Sequence, residues 1–345
     1  MSTTEHTPQS PDNASSTALL RLIGGYRITQ MLHVAAKLGI ADLVADGAKS
    51  SAELAARTGT HAPSLYRLLR ALSSVGVFSE DEQAHFGLTP LAEPLRSDAP
   101  DSLRGLAIFS GDQQVWQPWG EMLHSVETGE TAFGHVFGMD IWQYREQHPE
   151  SNAIFNDAMT SISGRDIPAI LAAYDFTSIQ ILVDVAGGHG KLIAGILQAY
   201  PTMRGMLFDM PHVLAGAASA LDAAGVTDRC QLVSGDFFES VPPGGDAYLL
   251  RRILHDWDDE RSTAILESCH RAMPEHGKLL VLEGVVQPPN RPDPAKLTDL
   301  QMLVSVGGRE RTETEWQTLL AGAGFALTKV YRASAETSII EGARV

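Results

Sequence analysis

The sequence predicts an α/β protein. Its C-terminal half is expected to form a doubly wound, Rossmann-like sheet that ends in an antiparallel hairpin, and a smaller, mostly α-helical winged-helix domain precedes it. From about residue 179, short apolar runs alternate with helical segments, which is typical of a parallel sheet covered on both faces. Before residue 100, a helix, a turn, a second helix and two short strands follow one another, the order of elements in a winged helix.

Four segments follow from these patterns. Residues 1–16 are polar, with neither a basic start nor an apolar run, so we expect a disordered tail there and no signal peptide. Residues 17–100 are expected to form the winged-helix domain, residues 101–178 a helical linker, and residues 179–345 the sheet domain.

The N-terminal domain begins with a helical pattern over residues 17–45 that is apolar on several sides. Such a helix needs more than one partner to cover it, and a second copy of the chain is one candidate. Ser50 and Glu53 have the spacing of a capping box and predict the start of a further helix. Two short strands, near residues 76–78 and 86–88, complete the winged-helix pattern.

Winged helices often bind DNA, but the charges of this chain argue against it. The second helix carries Arg67 and Arg70, whereas Glu80, Asp81 and Glu82 occupy the predicted wing. The formal net charge is −16, which repels phosphate backbones and anionic membranes. We therefore expect no nucleic-acid partner and no membrane association, and a structural or dimerisation role for this domain.

The segment 101–178 is helical in pattern and rich in Trp, Phe, Met and His. These side chains are expected either to fill a core or to line an apolar cavity for a flat ligand, and the pattern alone favours neither. The chain has two cysteines, Cys230 and Cys269, without a Cys-x-x-Cys spacing. This predicts no disulfide framework and no cysteine zinc site. Because the sequence also shows neither a signal peptide nor an apolar run long enough to span a membrane, the expected location is the cytoplasm.

In the C-terminal half we expect parallel strands joined by helices. The strands are predicted at residues 181–185, 206–208, 232–233, 247–250 and 279–282, and the helices at 192–200, 212–224 and 260–273. Two further apolar stretches, 325–331 and 337–340, are separated by a short polar turn. They predict the closing antiparallel hairpin.

A glycine-rich loop over residues 184–190 follows the first strand and leads into a helix. The dinucleotide fingerprint would need a third glycine where Ile193 stands, and a P-loop would need Ser or Thr where Leu192 follows Lys191. Neither motif fits, and a glycine loop by itself also occurs as a simple tight turn. Ligands of doubly wound sheets nevertheless bind beyond the carboxyl ends of the strands, starting at this loop.

Acidic residues at the next two strand ends strengthen the ligand hypothesis. Asp209 lies 19 residues after Gly190, where a carboxylate can accept hydrogen bonds from ribose hydroxyls. Asp236 and Phe237 follow the third strand, and this pair suits the amine and the ring of an adenine. Each Asp alone is more often a helix cap, but together they predict a nucleoside site.

His255 follows the fourth strand, on the side of the sheet where ligands bind. A histidine can accept a proton near neutral pH, which makes His255 a candidate general base. Asp256 and Asp258 beside it raise the possibility of a metal site. Adjacent residues do not easily converge on one ion, and residues 258–260 resemble a helix N-terminus, so we expect no metal.

The segments VDVAGGHG, LFDMPHV, GDFF, LLRRILHDWDD, VLEGVV and GGRERT occur in this order along the chain. Together they resemble the plant caffeate/flavonoid-type O-methyltransferases and their bacterial relatives, which act on natural products such as aromatic polyketides and phenazines. The resemblance covers essentially the whole chain. It implies S-adenosylmethionine as cofactor, S-adenosylhomocysteine as product, a small aromatic acceptor methylated on a hydroxyl, and a homodimer. Residues 17–100 would then be the dimerisation domain, 101–178 would contribute to the acceptor pocket, and 179–345 would bind the cofactor.

The resemblance also implies roles for individual residues. His255 matches the general base, and Glu283 and Glu310 match the two acids that flank it, with Glu310 as the first choice for orienting the ring. Ala186 departs from the family, which has glycine there. The residues that match cofactor-binding positions are Met159, Ser163, Ala186, Gly187, Gly188, Asp209, Asp236, Phe237 and Arg251.

Other functions stay open at this stage. Some relatives of the family bind the cofactor yet hydroxylate or decarboxylate their substrates; those tend to lack the histidine, so His255 favours methylation. N- or C-methylation is a further alternative. A ligand-sensing regulator built on the winged helix is disfavoured by the acidic charge and by the intact catalytic segments. The acceptor-pocket segments match the family least, which leaves the substrate undetermined.

Overall fold

We describe the protein from a computed structural model, which covers residues 11–100 and 102–345. The chain divides into two compact units, one ending at Asp112 and the other spanning Gln113–Val345. Of the predicted tail, residues 1–10 lie outside the described residues. Residues 11–16 do not belong to a tail, because the first helix already begins at Pro11. Proline suits the first turn of a helix, since its missing N–H would have no partner there.

The N-terminal unit is mainly helical and has a three-stranded antiparallel sheet in the order β1-β3-β2. Its elements are α1 (Pro11–Ile23), α2 (Gly25–Lys37), α3 (Ile40–Leu43), β1 (Lys49–Ser50), α4 (Ser51–Thr58), α5 (Ala62–Ser74), β2 (Phe78–Glu80), β3 (His85–Leu88), a 3-10 turn (Glu93–Leu95) and α6 (Arg104–Ser110).

The predicted single helix over residues 17–45 is wrong, because the chain forms three helices there. The breaks occur at Gly24 and at Gly39, and Gly39 has a left-handed backbone with φ of 66°. A helix cannot continue through that conformation, which glycine adopts at little cost. The capping box is confirmed: the Ser50 side chain accepts from the Glu53 amide, and Glu53 accepts from the Ser50 amide at 2.8 Å.

Helix α6 carries the N-terminal unit beyond residue 100, where we expected it to end. The Nε of Arg104 donates to the Ala36 carbonyl at 3.0 Å, and the His33 ring lies 2.7 Å from the Ile108 carbonyl. Both contacts join α6 to α2. They are pairings between segments about 70 residues apart in sequence, which local patterns do not reveal.

The first two helices expose apolar side chains. Leu19, Leu20, Leu22, Ile23 and Tyr26 are between 53% and 79% exposed. A contiguous apolar surface of this kind usually marks a contact with another protein molecule.

The C-terminal unit begins with helices and continues into a seven-stranded sheet. Its elements are α7 (Gln113–Gly120), α8 (Met122–Thr128), α9 (Ala132–Phe137), α10 (Ile141–Gln147), α11 (Pro149–Ala173), β4 (Ile181–Val185), α12 (Lys191–Ala199), β5 (Arg204–Asp209), α13 (Pro211–Leu214), α14 (Ala217–Ala223), β6 (Cys230–Ser234), β7 (Ala247–Arg251), α15 (Asp259–Ala272), β8 (Lys278–Glu283), α16 (Pro294–Ser305), α17 (Glu313–Gly322), β9 (Phe325–Arg332) and β10 (Ser338–Arg344), with 3-10 turns at Thr227–Arg229 and Leu254–Asp256.

The sheet has the order β6-β5-β4-β7-β8-β10-β9. Strands β4 to β8 are parallel, whereas β10 is antiparallel to both β8 and β9. The doubly wound sheet and the closing hairpin are therefore confirmed. Successive residues of β4 pack into different hydrophobic cores: Leu182 belongs to the cluster on one face of the sheet and Val183 to the cluster on the other. Burial on both faces explains why these strands are apolar throughout.

The helix predicted at 212–224 is wrong in one respect, since it consists of the two short helices α13 and α14. Gly216 lies between them, and a Cβ at that position would come within 2.7 Å of the His189 ring. The close approach of this ring to the backbone explains the glycine at the break.

Strand β9 forms one edge of the sheet, and Lys329 and Arg332 on it are exposed. Charged side chains on an edge strand hinder pairing with strands of other molecules.

None of the helices in the described ranges is long and apolar enough to cross a bilayer.

Candidate active site

A cavity of about 1050 Å³ lies within the C-terminal unit, at the carboxyl ends of β4, β5, β6 and β7. Side chains of α10 and α11 line it as well. Sites for drug-sized ligands have volumes of about 300–1,000 Å³. This cavity therefore lies at the upper end of the range for such sites.

All of the predicted cofactor-binding residues line this single cavity. They are Met159, Ser163, Ala186, Gly187, Gly188, Asp209, Asp236, Phe237 and Arg251. Most of them come from three loops, residues 184–190, 209–210 and 235–238, which we call the strand-end loops. The topology brings these loops together because parallel strands end at the same edge of the sheet.

Backbone hydrogen bonds hold the first strand-end loop in place. The amides of Ala186 and Gly187 donate to the Phe208 carbonyl of β5, at 2.7 and 3.4 Å. A Cβ on Gly187 would overlap the side chains of Leu207 and Asp184, so the position requires glycine. Ala186 has a φ of 56°, a left-handed conformation that costs an L-residue about 1–2 kcal/mol. The backbone is thus strained at Ala186, the position where the family has glycine.

Asp209 is also fixed by the backbone. One of its carboxylate oxygens accepts from the Gly188 amide at 2.8 Å, and the other accepts from the Met210 amide at 2.7 Å. Burial raises the pKa of Asp209 from its usual value, and these two hydrogen bonds partly offset the effect. At the next strand end, Asp236 accepts from the Phe238 amide at 2.8 Å.

Asp184, at the end of β4, begins the glycine-rich loop and is a buried acid that was not among the predicted site residues. It is 1% exposed, and one of its oxygens has no hydrogen-bond partner among the described residues. Burial, together with the charge of Asp209, raises the pKa of Asp184 to about 7. A buried oxygen without a partner at the edge of a cavity is suited to a ligand that donates a hydrogen bond.

Arg251 connects β7 to helix α11. Its guanidinium donates to the Ser163 hydroxyl at 2.8 Å and to the Asp166 carboxylate at 2.6 Å, and the Thr337 hydroxyl donates to the same carboxylate at 3.0 Å. Arg251 therefore holds the α11 segment that contains Met159 and Ser163 beside the strand-end loops.

The three predicted catalytic residues lie together, but they are not among the residues that line the cavity. His255, Glu283 and Glu310 are each between 1% and 5% exposed and form what we call the acid–base cluster. The His255 Nδ1 lies 2.7 Å from a Glu310 oxygen and 3.4 Å from a Glu283 oxygen. The neighbours of His255 in the chain do reach the cavity. Ile253, Asp256 and Trp257 line it, whereas Leu254 does not.

The two glutamates act on different parts of the His255 segment. Glu310 contacts the ring itself, whereas one oxygen of Glu283 accepts from the backbone amides of Ile253 and Leu254, at 2.9 and 3.1 Å. Glu283 thereby holds the turn, and Glu310 orients the imidazole. With Nδ1 directed to Glu310, the other ring nitrogen, Nε2, lies 3.6 Å from an oxygen of Asp256.

Two residues that support this turn were missed in the sequence analysis. The buried Arg311 donates to the carbonyls of Leu254 and Trp257, each at 3.0 Å, and so brackets His255. At Gly308 a Cβ would overlap the carbonyl oxygen of His255, so only glycine permits this close backbone approach. Both lie in the segment GGRERT, which was recognised as a family motif without a role for these positions.

The charges of the cluster determine the protonation of His255. Burial opposes the imidazolium form, but the nearby carboxylates of Glu283, Glu310 and Asp256 outweigh it and raise the pKa of His255 to about 9. Burial and the neighbouring acids also raise the pKa of Glu283, and the charge of His255 partly offsets this increase. The result is an imidazole that holds a proton more tightly than a free histidine does.

The same three side chains place one ligand atom each within 4.8 Å of one another, which is a spacing that metal sites also have. The separation of 2.7 Å between the His255 Nδ1 and the Glu310 oxygen is that of a direct hydrogen bond. This hydrogen bond accounts for the cluster without an ion.

Comparison with known families identifies both units. The family model for an O-methyltransferase domain matches residues 119–326, and that for an O-methyltransferase dimerisation domain matches residues 20–98.

Individual relatives agree with these matches. A phenazine O-methyltransferase from Lysobacter antibioticus is 49% identical over 326 residues, which cover 94% of this chain and 95% of the relative. A phenazine-1-carboxylate N-methyltransferase from Pseudomonas aeruginosa is 33% identical, with 96% and 98% of the two chains covered. A solved O-methyltransferase from neocarzinostatin biosynthesis, in complex with S-adenosylmethionine and 2-hydroxy-5-methyl naphthoic acid, is 34% identical, has a TM-score of 0.78, and the match covers 92% and 96% of the chains.

Proposed function

Because this chain belongs to the S-adenosylmethionine-dependent O-methyltransferases, we propose that it methylates a hydroxyl of a fused aromatic secondary metabolite and that His255 is the general base. The observation that supports this proposal most strongly is the buried hydrogen bond between His255 and Glu310, next to a cavity lined by all the expected cofactor-binding residues. The phenazine and naphthoic acid named for the relatives are flat aromatic molecules of this class.

The strand-end loops fit S-adenosylmethionine. This cofactor supplies a methyl group activated by a sulfonium charge, and it also carries an ammonium group and two ribose hydroxyls. Asp184 offers a buried oxygen without a partner, and Asp209 offers a carboxylate fixed by the backbone. At Gly188 a Cβ would meet no protein atom within 4 Å, so open space beside the loop lets a ligand approach it closely. Phe237 offers an aromatic face beside Asp236.

His255 is arranged to accept a proton through Nε2. The carboxylate of Glu310 accepts from Nδ1, which assigns the proton of the neutral imidazole to that nitrogen and leaves the lone pair on Nε2. The carboxylate also stabilises the imidazolium that forms when the proton arrives, as in hydrolase triads. We infer that the acceptor hydroxyl reaches Nε2 beside Asp256, which lines the cavity.

The raised pKa of His255 suits a phenolic acceptor. A phenol has a pKa of about 10, so transfer of its proton to an ordinary histidine, with a pKa of about 6.5, would cost about 5 kcal/mol. A pKa of about 9 for His255 reduces this cost to about 1.4 kcal/mol. The acidic surroundings therefore make the imidazole a stronger base at the point where the reaction needs one.

The cavity is also suited to a flat acceptor. The rings of Trp142 and Trp257 are nearly parallel, with their centroids 5.8 Å apart, and both line the cavity. Aromatic rings of this kind bind planar ligands through stacking and edge contacts. In the N-terminal unit, the dimerisation domain accounts for the exposed apolar side chains of α1 and α2, which a second copy of the chain covers.

Replacing His255 with alanine tests this proposal. With a hydroxyphenazine as acceptor, we expect His255→Ala to lower kcat by about 10²–10⁴-fold, because the proton acceptor is lost. Binding of S-adenosylmethionine, measured by calorimetry, should change less than threefold, since His255 is not among the residues that line the cavity.

The matched control is His276→Ala, which removes an imidazole that is 78% exposed. It should leave both kcat and cofactor binding unchanged. An aminophenazine, offered in parallel, distinguishes transfer to nitrogen, because a neutral amine is already nucleophilic before it loses a proton. If His255→Ala methylated the hydroxyl at the wild-type rate, the assignment of the base would be wrong; efficient methylation of the amine alone would replace the O-methyltransferase proposal.

A further inference from the structure

Arg145 lies in α10 and lines the cavity, although it is only 6% exposed. Two aromatic rings contact its guanidinium. The Cζ atom lies 3.4 Å from the centroid of the Phe155 ring and 5.3 Å from that of Trp142. A guanidinium stacked on a ring at such a distance directs its N–H groups outward from its edge, where they can donate to an acceptor in the same plane.

Within the described ranges, Arg145 forms no ion pair with a carboxylate, and its Nε has no hydrogen-bond partner. The other buried arginines differ from it. Arg251 donates to Asp166 and Ser163, and Arg311 donates to Asp259 and to two backbone carbonyls. Among the described residues, Arg145 is thus a buried cation of the cavity with no carboxylate at ion-pair distance.

A buried charge without a partner is costly, so the structure around it must compensate or a ligand must do so. Burial lowers the pKa of Arg145 to about 9, and the charge of Asp256 only partly offsets this. The two rings stabilise the cation through their faces, but they contain no acceptor for its N–H groups. The edge of the guanidinium therefore needs an acceptor, and a planar carboxylate matches it with two parallel hydrogen bonds.

We propose that Arg145 binds a carboxylate on the aromatic acceptor and so selects acidic substrates. The inference rests on the proposed function, because it assigns one end of the same acceptor. Asp256 lies between the carboxylate-binding end of the acceptor site and the base: its charge acts on Arg145, and its carboxylate lies 3.6 Å from the Nε2 of His255. A carboxylate held by Arg145 thus leaves the hydroxyl of the acceptor to the side of the cavity next to His255, with the ring system beside Trp142.

The experiment uses a matched pair of acceptors, 6-hydroxyphenazine-1-carboxylate and its carboxamide, which have the same shape but differ in charge. With the wild-type enzyme, kcat/KM for the carboxylate should exceed that for the carboxamide by about 30-fold, mainly through KM, because a charge-assisted bidentate contact is lost in the amide. Arg145→Gln should reduce this preference to less than threefold, while the carboxamide keeps its wild-type kcat/KM within threefold. Arg145→Lys should retain part of the preference, since it keeps the charge but not the planar fork.

The control is Arg271→Gln, which removes an exposed arginine on the surface and should leave the preference intact. Equal losses for both acceptors in Arg145→Gln would show a purely structural role and overturn the inference. A wild-type preference below threefold would overturn it as well, even if Arg145→Gln failed to fold.

Calorimetry separates this inference from the proposed function. Binding of each acceptor is measured in the presence of S-adenosylhomocysteine, where no turnover occurs. If neither acceptor is methylated but the carboxylate binds at least tenfold more tightly than the carboxamide, and only when Arg145 is present, the inference holds and the proposed hydroxyl transfer fails. If both acceptors are methylated with equal efficiency, the proposed function holds and the inference fails.

Discussion

The strand-end loops line the cavity, whereas the acid–base cluster lies just behind its lining, and different interactions hold the two regions. Backbone hydrogen bonds fix the loops: the amides of Ala186 and Gly187 donate to β5, and Asp209 accepts from two amides. Buried charged side chains fix the cluster, where His255 contacts two glutamates.

This difference predicts how each region responds to substitution. A loop held by its backbone keeps its hydrogen bonds when a side chain changes, so the effects should be graded. In a buried cluster of charges, the loss of one member leaves the others without a partner in a medium of low polarity. Substitutions there should lower kcat by large factors while changing cofactor binding little. The three predictions below test this contrast.

The largest effect is expected for Glu310→Gln. Glutamine has the same shape but lacks the charge that stabilises the imidazolium, so we expect kcat to fall by about 10²–10³-fold. The binding constant for S-adenosylmethionine, measured by calorimetry, should stay within threefold of wild type.

Glu283→Gln is the matched comparison, because its retained oxygen can still accept from the amides of Ile253 and Leu254. We expect a smaller loss of kcat for it than for Glu310→Gln. The reverse order would mean that the backbone-holding glutamate, and not the one that contacts the ring, controls the base.

The second prediction concerns pH. The pKa of His255 in the folded enzyme is about 9, so below pH 9 the free enzyme holds the imidazolium, which cannot accept a proton. With a phenol of pKa about 10, kcat/KM should rise about tenfold per pH unit between pH 7 and 9 and level off above pH 9. Cofactor binding should not follow this profile. A profile with its midpoint near 6.5, the ordinary histidine value, would contradict the role assigned to the surrounding carboxylates.

The smallest effect is expected for Ala186→Gly in the strand-end loops. Relief of the left-handed strain at φ of 56° is worth about 1–2 kcal/mol, and the greater freedom of glycine in the unfolded chain removes about 0.5–1 kcal/mol of that. We expect the free energy of unfolding to increase by about 0.5–1 kcal/mol in urea titrations, with kcat within twofold of wild type. A decrease in stability would show that Ala186 is not strained.

The same contrast explains how much could be predicted from the sequence. Asp209, Asp236 and the glycine loop follow directly after apolar runs, and the topology of a parallel sheet brings strand ends together. A local pattern was therefore sufficient to place these residues on one cavity. The prediction that Glu283 and Glu310 flank His255 rested on the resemblance to a family, because no local pattern indicated it.

The residues that the sequence did not reveal depend on contacts between distant segments. Arg311 and Gly308 matter because their segment packs on the His255 turn, more than 50 residues away in sequence. Arg145 is unusual only because it is buried with no carboxylate of the described residues at ion-pair distance, which no local pattern shows. The position of His255 just behind the cavity, and not in its lining, likewise depends on how Asp256 and Trp257 are placed.

The order of strands at one edge of the sheet has a consequence for folding. Among the strands of the described residues, β9 pairs with β10 alone, which follows it in the chain and separates it from β8. Strand β9 can therefore join the sheet only together with β10 or after it, and in a partly folded molecule it has no partner before that step. Lys329 and Arg332 keep the strand charged in such a molecule, which lowers the risk that partly folded chains associate through it.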